Sequence, residues 1–438
     1  MKTFDVEKSV IAREDLTDGV DFIGEFASET SELQGRLAGS ETETACARVI
    51  RNRLHDEAKV KTRLEAYYVY PMLGRGSLPF LGLWYMLSLV LYYISFAGGR
   101  VAGALLTALA LLMFLSGGAV ILLMFVGDKR LAGLLTKKVS YNVVSEFSKR
   151  KQDDRTRTFV IVGNHDAKMG GFFGDVGMIR KLTILIAPIS AFLFVLFCIL
   201  KMAVGFDTVA KITAFSVLPA IFVLLGAFVV FTHYSPLVRH AKENNGIATA
   251  VGMATYAYFV RHSEKLPDDA KIVFVSLGGE NAAHGGSQAF CKAHPELEGA
   301  KVLCLQDITS GDVQIAECDT VRKIEFSTPI VSIVRSSAHE QGIEITTEPH
   351  TTLAQKFTSL HGYTSNDFAK NGMQTATIIA NRQADHVLDR NDVEKLFSLA
   401  VGSLEKLFAE TEKPIKEEHQ SAKTPSSSDI EIKDVASR

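Results

Sequence analysis

The chain of 438 residues lacks a charge excess of either sign, with 47 Lys and Arg against 49 Asp and Glu and a formal net of -2. A nucleic-acid-binding protein would carry a basic excess, so nucleic acid is set aside as a partner. Paired cysteines are lacking too. The five present, Cys46, Cys198, Cys291, Cys304 and Cys318, are odd in number and nowhere spaced C-x-x-C, which argues against a disulfide scaffold or a zinc ribbon. No G-x-G-x-x-G follows a strand and no G-x-x-x-x-G-K-[ST] occurs, so a nucleotide site has no support. The G-x-S-x-G elbow of serine hydrolases is missing, as is any internal repeat. The first fifteen residues hold no apolar core, so no cleaved signal peptide is expected there.

Charge is also scarce in four long apolar runs. Hydrophobic residues make up 47% of the chain and charged ones 22%, with a mean hydropathy of +0.15, a mixture expected of polar domains joined to membrane segments. The hydrocarbon core of a bilayer takes about 20 helical residues, and residues 79–97, 101–127, 183–200 and 212–232 form four candidate spans arranged as two hairpins. Lys201, at the end of the third, is expected to snorkel to the headgroups. An even number of spans puts all the polar sequence on one side. Near the membrane that side carries Arg75, Lys129, Lys137, Arg180, Lys181 and Arg239 among others, and the tips only Arg100, Lys201 and Lys211. By the positive-inside rule the polar domain is cytoplasmic.

The expected organisation is a first soluble part over 1–75, a first hairpin over 76–127, central strands within 128–182, a second hairpin over 183–232, the remaining soluble part over 233–412, and a charged tail over 413–438. The tail, rich in serine and charge, reads as disordered. Within the soluble parts, residues 21–60 read as a helix pair. Apolar runs at 139–147, 158–163, 271–277, 302–306 and 375–380 read as strands, and 245–262, 287–293, 328–342 and 392–408 as helices. Alternating strands and helices imply a three-layer αβα domain, interrupted twice by the apolar hairpins.

In an open α/β sheet the site lies outside the carboxyl ends of the strands. Those ends carry Asn164-His165-Asp166, Gly279-Glu280-Asn281 with His284 behind, Gln306-Asp307, and Asn381-Arg382-Gln383-Ala384-Asp385-His386, while Glu243-Asn244-Asn245 precedes a helix. Carboxylates and imidazoles converging on one edge suggest metal-assisted hydrolysis, in which a Glu takes a proton from water. Each acid alone reads more plainly as a helix cap.

Several stretches together resemble a known family. They are Arg36-Leu-Ala-Gly-Ser-Glu-Thr-Glu, Phe159-Val-Ile-Val-Gly-Asn-His-Asp, Gly246-Ile-Ala-Thr-Ala-Val-Gly-Met-Ala, Phe274-Val-Ser-Leu-Gly-Gly-Glu-Asn with Gly286-Ser287, Leu305-Gln-Asp307, and Asp367-Phe368 with Asn371-Gly372-Met373. Their order resembles that of the co-catalytic zinc aminopeptidases and carboxypeptidases, peptidase family M-twenty-eight, whose relatives include the glutamate carboxypeptidases, nicalin and the transferrin receptor. The resemblance implies a zinc-exopeptidase-like fold carrying the apolar hairpins as insertions. It implies Glu280 as general base and His165, Glu243 and Asp307 as metal ligands, with Asp166 and Asp385 in supporting positions. Two ligand positions depart from the pattern, Asn281 replacing a Glu and Arg382 a His.

An Asn carbonyl is a weak neutral ligand, and a guanidinium repels the cation it would face. Zero or one zinc ion is therefore expected ahead of two. Arg382 can stand in for the metal by pairing with Asp307, Glu243 or Glu280, while His240, His284, His361 or His386 could supply a replacement ligand. Two functions follow. One is a divergent peptide-bond hydrolase of aminopeptidase type acting on a peptide substrate. The other is an inactive relative serving as a binding or scaffold module for a protein partner in the membrane. Transport is disfavoured, because the apolar runs hold almost no internal charge. Association of copies through the four apolar helices is the remaining partner expectation besides the lipid bilayer.

Overall fold

The computed structural model describes residues 4–33, 35–73, 78–126, 135–150, 156–167, 177–205, 208–233, 246–309, 311–319, 323–345, 363–380 and 388–410. Its strands are β1 (Thr62–Val69), β2 (Lys138–Ser148), β3 (Arg157–Asn164), β4 (Ala270–Leu277), β5 (Lys301–Ile308), β6 (Gln314–Ala316), β7 (Cys318–Asp319), β8 (Ile324–Glu325) and β9 (Gln374–Ala380). Seven of them form one sheet in the order β1-β2-β4-β3-β5-β9-β6, and β7 and β8 pair separately. The four central strands β4, β3, β5 and β9 are parallel. The β1–β2 pair joins β4 antiparallel at one edge, and β6 joins β9 antiparallel at the other.

The central strands are apolar on both faces because helices cover both. Phe159 and Ile161, Ile272 and Phe274, and Leu303 and Leu305 share a core with α1 (Arg13–Ser31), α2 (Glu41–Ala58), α7 (Gly246–Arg261), α9 (Thr328–Glu340) and the closing helix α11 (Arg390–Ala409). The alternate residues Val160, Val162, Val273, Val275, Val302 and Cys304 pack on the other face with Phe290 of α8 (Gly285–Ala293) and Phe368 of α10 (Ser365–Lys370). Helix α7 is buried on nearly every side. It reaches β3 closely because Gly163 has no side chain; a Cβ there would lie 2.9 Å from Thr249 Cα.

The expected strands and helices lie where their apolar patterns placed them, and the structure adds elements the patterns did not announce, among them the short β6, β7, β8 and α10. The first helix begins at Arg13, earlier than expected, and the polar segment Thr62–Val69 is an edge strand that the pattern did not announce. The tail over 413–438 lies outside the described residues.

The apolar runs form α3 (Leu78–Ile94), α4 (Gly99–Val126), α5 (Gly177–Val204) and α6 (Val209–His233). The two hairpins pack on each other through Tyr85, Leu89 and Tyr92 of α3, Phe114 of α4, Phe194 of α5 and Val223 of α6. Leu83, Val90, Leu105, Leu112, Phe192 and Ile221 point outward and are exposed. By length and composition, one described stretch, Gly82–Val120, is long and apolar enough to cross a membrane. Of the second hairpin, the apolar stretches Pro188–Val204 and Lys211–Leu225 fall among the described residues, so of the four expected spans only the first hairpin's stretch is shown.

Pro219, inside α6, has no N–H to donate and so frees the carbonyl one turn earlier. The Tyr92 hydroxyl donates to that carbonyl, Phe215 O, at 2.8 Å, and the Tyr93 hydroxyl donates to Ser216 O. Lys201 departs from expectation. It does not snorkel outward but is 1% exposed, with its Nζ 2.5 Å from Ser95 Oγ and 3.3 Å from the centre of the Phe96 ring. Ser95 and Phe96 belong to the turn between α3 and α4, so this lysine ties the second hairpin to the tip of the first.

Candidate functional site

The carboxyl ends of β3 and β4 bring the first two groups of predicted residues together. The Asn281 N–H donates to Asp166 Oδ2 at 2.7 Å, and the His165 N–H donates to Leu277 O at 3.0 Å. His165 Nδ1 lies 2.9 Å from Ser276 Oγ, which fixes the ring. Asn164, His165 and Asp166 are all buried. Four atoms among them and their neighbour, Asn164 Oδ1, His165 Nε2, Asp166 Oδ1 and Asn281 Nδ2, are buried without a hydrogen-bond partner. Leaving such groups unpaired costs about 1–3 kcal/mol each, so the corner is polar and unsatisfied at some expense to stability. Burial pushes the His165 imidazole down to about 3, reinforced by the Arg36 guanidinium, and keeps the ring neutral. Burial raises the Asp166 carboxyl well above the usual range, and the Glu43 charge adds to the effect.

Glu280 is anchored on both oxygens. Its Oε1 accepts the Ser287 N–H at 2.5 Å in the first turn of α8, and its Oε2 accepts from Thr364 Oγ1 at 3.2 Å and lies 3.3 Å from His284 Nδ1. Asp367 stands beside it, accepting from Ser287 Oγ at 2.8 Å with Oδ2 3.7 Å from His284 Nδ1, and burial raises its carboxyl. A carboxylate that takes an N–H in the first turn of a helix also meets the positive end of the helix dipole. Glu280 is thus a helix cap, the plainer of the two readings open at the sequence level.

Asp307 lies at a bulge where the β5–β9 register shifts between Gln306 and Ile308, and its φ of +52° is left-handed. Gln306 Oε1 accepts the Thr364 N–H at 3.0 Å, linking this strand end to Glu280 through Thr364. Glu243, Arg382 and Asp385 lie outside the described residues, as do His240, His361 and His386.

The metal implied by the resemblance does not fit the described residues. No three His, Cys, Asp or Glu among them form a group that could hold an ion. His165 Nε2 is unpartnered, as a ligand nitrogen would be, but the buried Arg36 guanidinium acts on it electrostatically and an amide, Asn281, occupies a carboxylate position. Glu280 spends its oxygens on Ser287, Thr364 and His284.

Sequence reasoning passed over Glu43, which is buried at 1% exposure. Its Oε2 accepts the Gly39 N–H at 2.6 Å, and its Oε1 accepts the Gly279 N–H at 2.7 Å and Ser140 Oγ at 3.0 Å. Burial pushes its carboxyl up to about 7 against these three donors. The available signal was Ser40-x-x-Glu43 ahead of an apolar helix, the pattern of a capping box. The Ser40 side chain does accept the Glu43 N–H at 3.1 Å, while Glu43 reaches back one residue further, to Gly39.

The site therefore sits on a mixed α/β fold at the carboxyl edge of a largely parallel sheet. No protein-family profile and no curated protein matches the sequence. Solved structures are matched over most of the chain at low identity. The glutaminyl cyclase of Fimbriiglobus ruber is 9% identical, the match covering 93% of this chain and 97% of that one at a TM-score of 0.45. The LapA aminopeptidase of Legionella pneumophila is 10% identical, with coverage of 94% and 75% and a TM-score of 0.46. BSAP, a zinc aminopeptidase from Bacillus subtilis, is 8% identical, with coverage of 89% and 94% and a TM-score of 0.45.

Proposed function

We propose that this chain is a membrane-integral binding module built on a zinc-exopeptidase-like domain that no longer hydrolyses peptides. In this reading all four apolar helices cross the bilayer as one packed cluster. The α/β domain lies on the cytoplasmic face and engages a peptide or protein partner at the carboxyl edge of its sheet. The observation that carries the reading is the state of Glu280. A general base must aim a free lone pair at the water it deprotonates. At Glu280 the carboxylate is 5% exposed and three of its roughly four acceptor sites already face Ser287, Thr364 and His284. The outward apolar faces of α3 to α6 support the membrane part, since a soluble surface rarely carries so large a contiguous apolar area.

A second reading, a divergent peptide-bond hydrolase, is favoured by one observation, the unpartnered His165 Nε2. One experiment separates the two. Detergent-purified protein is dialysed against trace zinc, its metal content measured by elemental mass spectrometry, and a peptide library assayed with the parent chain and Glu280→Gln. The binding module retains no stoichiometric zinc and cleaves nothing in either form. About one or two zinc ions per chain, lost in His165→Ala, with turnover abolished by Glu280→Gln, would establish the hydrolase instead.

A further inference from the structure

We propose that Glu43 is a positioning residue that couples the first apolar hairpin to the turn carrying Glu280 and Asn281, so that a shift at the hairpin's roots is transmitted to the candidate site. This goes beyond the reading of the site as a binding surface and concerns what sets its shape.

The hairpin springs from the end of β1 and returns into the start of β2, whose last paired residues are Val69 and Lys138. Both roots press on the turn and on the loop before α2. A Cβ on Gly279 would lie 3.0 Å from Val69 Cγ2 and 2.8 Å from the Tyr67 hydroxyl, and one on Gly39 would lie 2.6 Å from Lys138 Cβ. Val69 also packs with Ala38 of that loop and Ala282 of the turn. Gly279 has a φ of +53° and Gly39 one of +69°, so both backbones take a left-handed form that a side chain would oppose.

Polar contacts converge on the same place. The Tyr67 hydroxyl, on β1, donates to Gly278 O at 2.7 Å and lies 3.1 Å from Ser140 Oγ. Ser140, on β2, donates to Glu43, and Glu43 takes the N–H of Gly279. One carboxylate therefore joins the returning root, the loop before α2 and the site turn. Beyond Gly279 the chain runs directly into Glu280 and Asn281, which cap α8 and hold Asp166. A displaced β2 root pulls Ser140 from Glu43 and releases the Gly279 N–H with it.

The test is amide hydrogen exchange on the full chain in lipid nanodiscs, with Glu43→Gln, Ser140→Ala and their double variant. Glu43→Gln is expected to speed exchange about tenfold or more, both in the turn 278–287 and at the roots 67–69 and 138–141, with β3 and β5 still protected. Ser140→Ala, a milder change that leaves the fold intact, is expected to speed exchange in the turn, although it lies on the root. That effect should vanish in the Glu43→Gln background. Acceleration spread evenly over the sheet would make Glu43 a general stability residue, and a Ser140→Ala effect confined to β2 or fully additive with Glu43→Gln would break the coupling. The readout needs neither ligand nor turnover, so it can fail while the binding reading stands, and the reverse.

Discussion

The sheet domain and the apolar helical cluster both bury polar groups, and they satisfy them by different means. In the sheet domain the buried carboxylates Glu43, Glu280 and Asp367 take hydrogen bonds from backbone N–H groups and hydroxyls at turns and helix starts. In the cluster the donors are side chains, the buried Tyr92, the half-buried Trp84 and the exposed Tyr93, and the acceptors are helix carbonyls. The one described lysine at full burial there, Lys201, rests on a hydroxyl and on aromatic faces. The difference follows from what each region has to spare. Turns and helix N-termini leave N–H groups unpaired, and these suit anions. A long helix has no spare N–H; a proline inside it leaves a spare carbonyl, which suits a hydroxyl. Charge in the sheet domain therefore organises loops, whereas in the cluster hydroxyls lock helices together.

Four experiments sharpen or break that contrast, taken in falling order of effect. Glu280→Ala leaves the Ser287 N–H and the Thr364 hydroxyl without their acceptor, and a loss of roughly 3 kcal/mol or more is expected in the denaturant midpoint of the α/β domain. A midpoint unmoved by this change would show that Glu280 is not a structural cap and reopen its role as a base.

Next in size is pH. The Glu43 carboxyl rises from its ordinary 4.5 to about 7 on folding, so the native state binds the proton more tightly than the unfolded chain. Its contribution is fully present below pH 4.5 and is lost as pH climbs to about 7, a fall of roughly 3 kcal/mol by linkage. Glu43→Gln is expected to flatten that part of the stability profile, and an unchanged slope between the two pH values would assign the titration to another group.

In the cluster the expected effects are smaller. Tyr92→Phe strips the donor from Phe215 O and is expected to cost about 1 kcal/mol, the scale of interhelical hydrogen bonds in apolar surroundings. Pro219→Ala restores a backbone N–H for the same carbonyl, so the cost of Tyr92→Phe should disappear in the double variant; persistence of the full cost would place Tyr92's contribution in packing alone. Smallest of all is the exposed pair Arg390–Asp21, at 2.7 Å with both side chains 54% exposed. Arg390→Ala should change stability by no more than about 0.5 kcal/mol, and less in high salt.

Legibility from sequence followed burial. Phe159-Val-Ile-Val-Gly and Lys271-Ile-Val-Phe-Val-Ser-Leu are apolar on both faces because both faces are covered, and such runs announce themselves. Thr62–Val69 did not, because it is an edge strand with Arg63 and Glu65 interleaved among its apolar residues; its pairing with β2, not its composition, makes it a strand. The short β6 likewise exists through β9. At the site, the residues lying next to one another at strand ends were legible, and two of them, Asp166 and Asn281, do meet. Which contacts they make was not, since the partners of Glu280 come from Ser287 and from the distant Thr364. The burial of Lys201 was hidden for the same reason. A lysine at the end of an apolar run looks outward until another hairpin is packed against it.

The position of the second hairpin in the chain has a consequence for synthesis. β3 is flanked in the sheet by β4 and β5, and both are translated only after α6. At the usual pace of translation the apolar run Phe159–Gly163 leaves the ribosome some ten seconds, in rough terms, before either neighbour exists. During that interval β1 and β2 can already zip together, but β3 is a bare strand with two open edges, the kind of segment that pairs with whatever it meets. The opportunity for mispairing at residues 157–164 lasts until the second hairpin and the strands after it have been laid down.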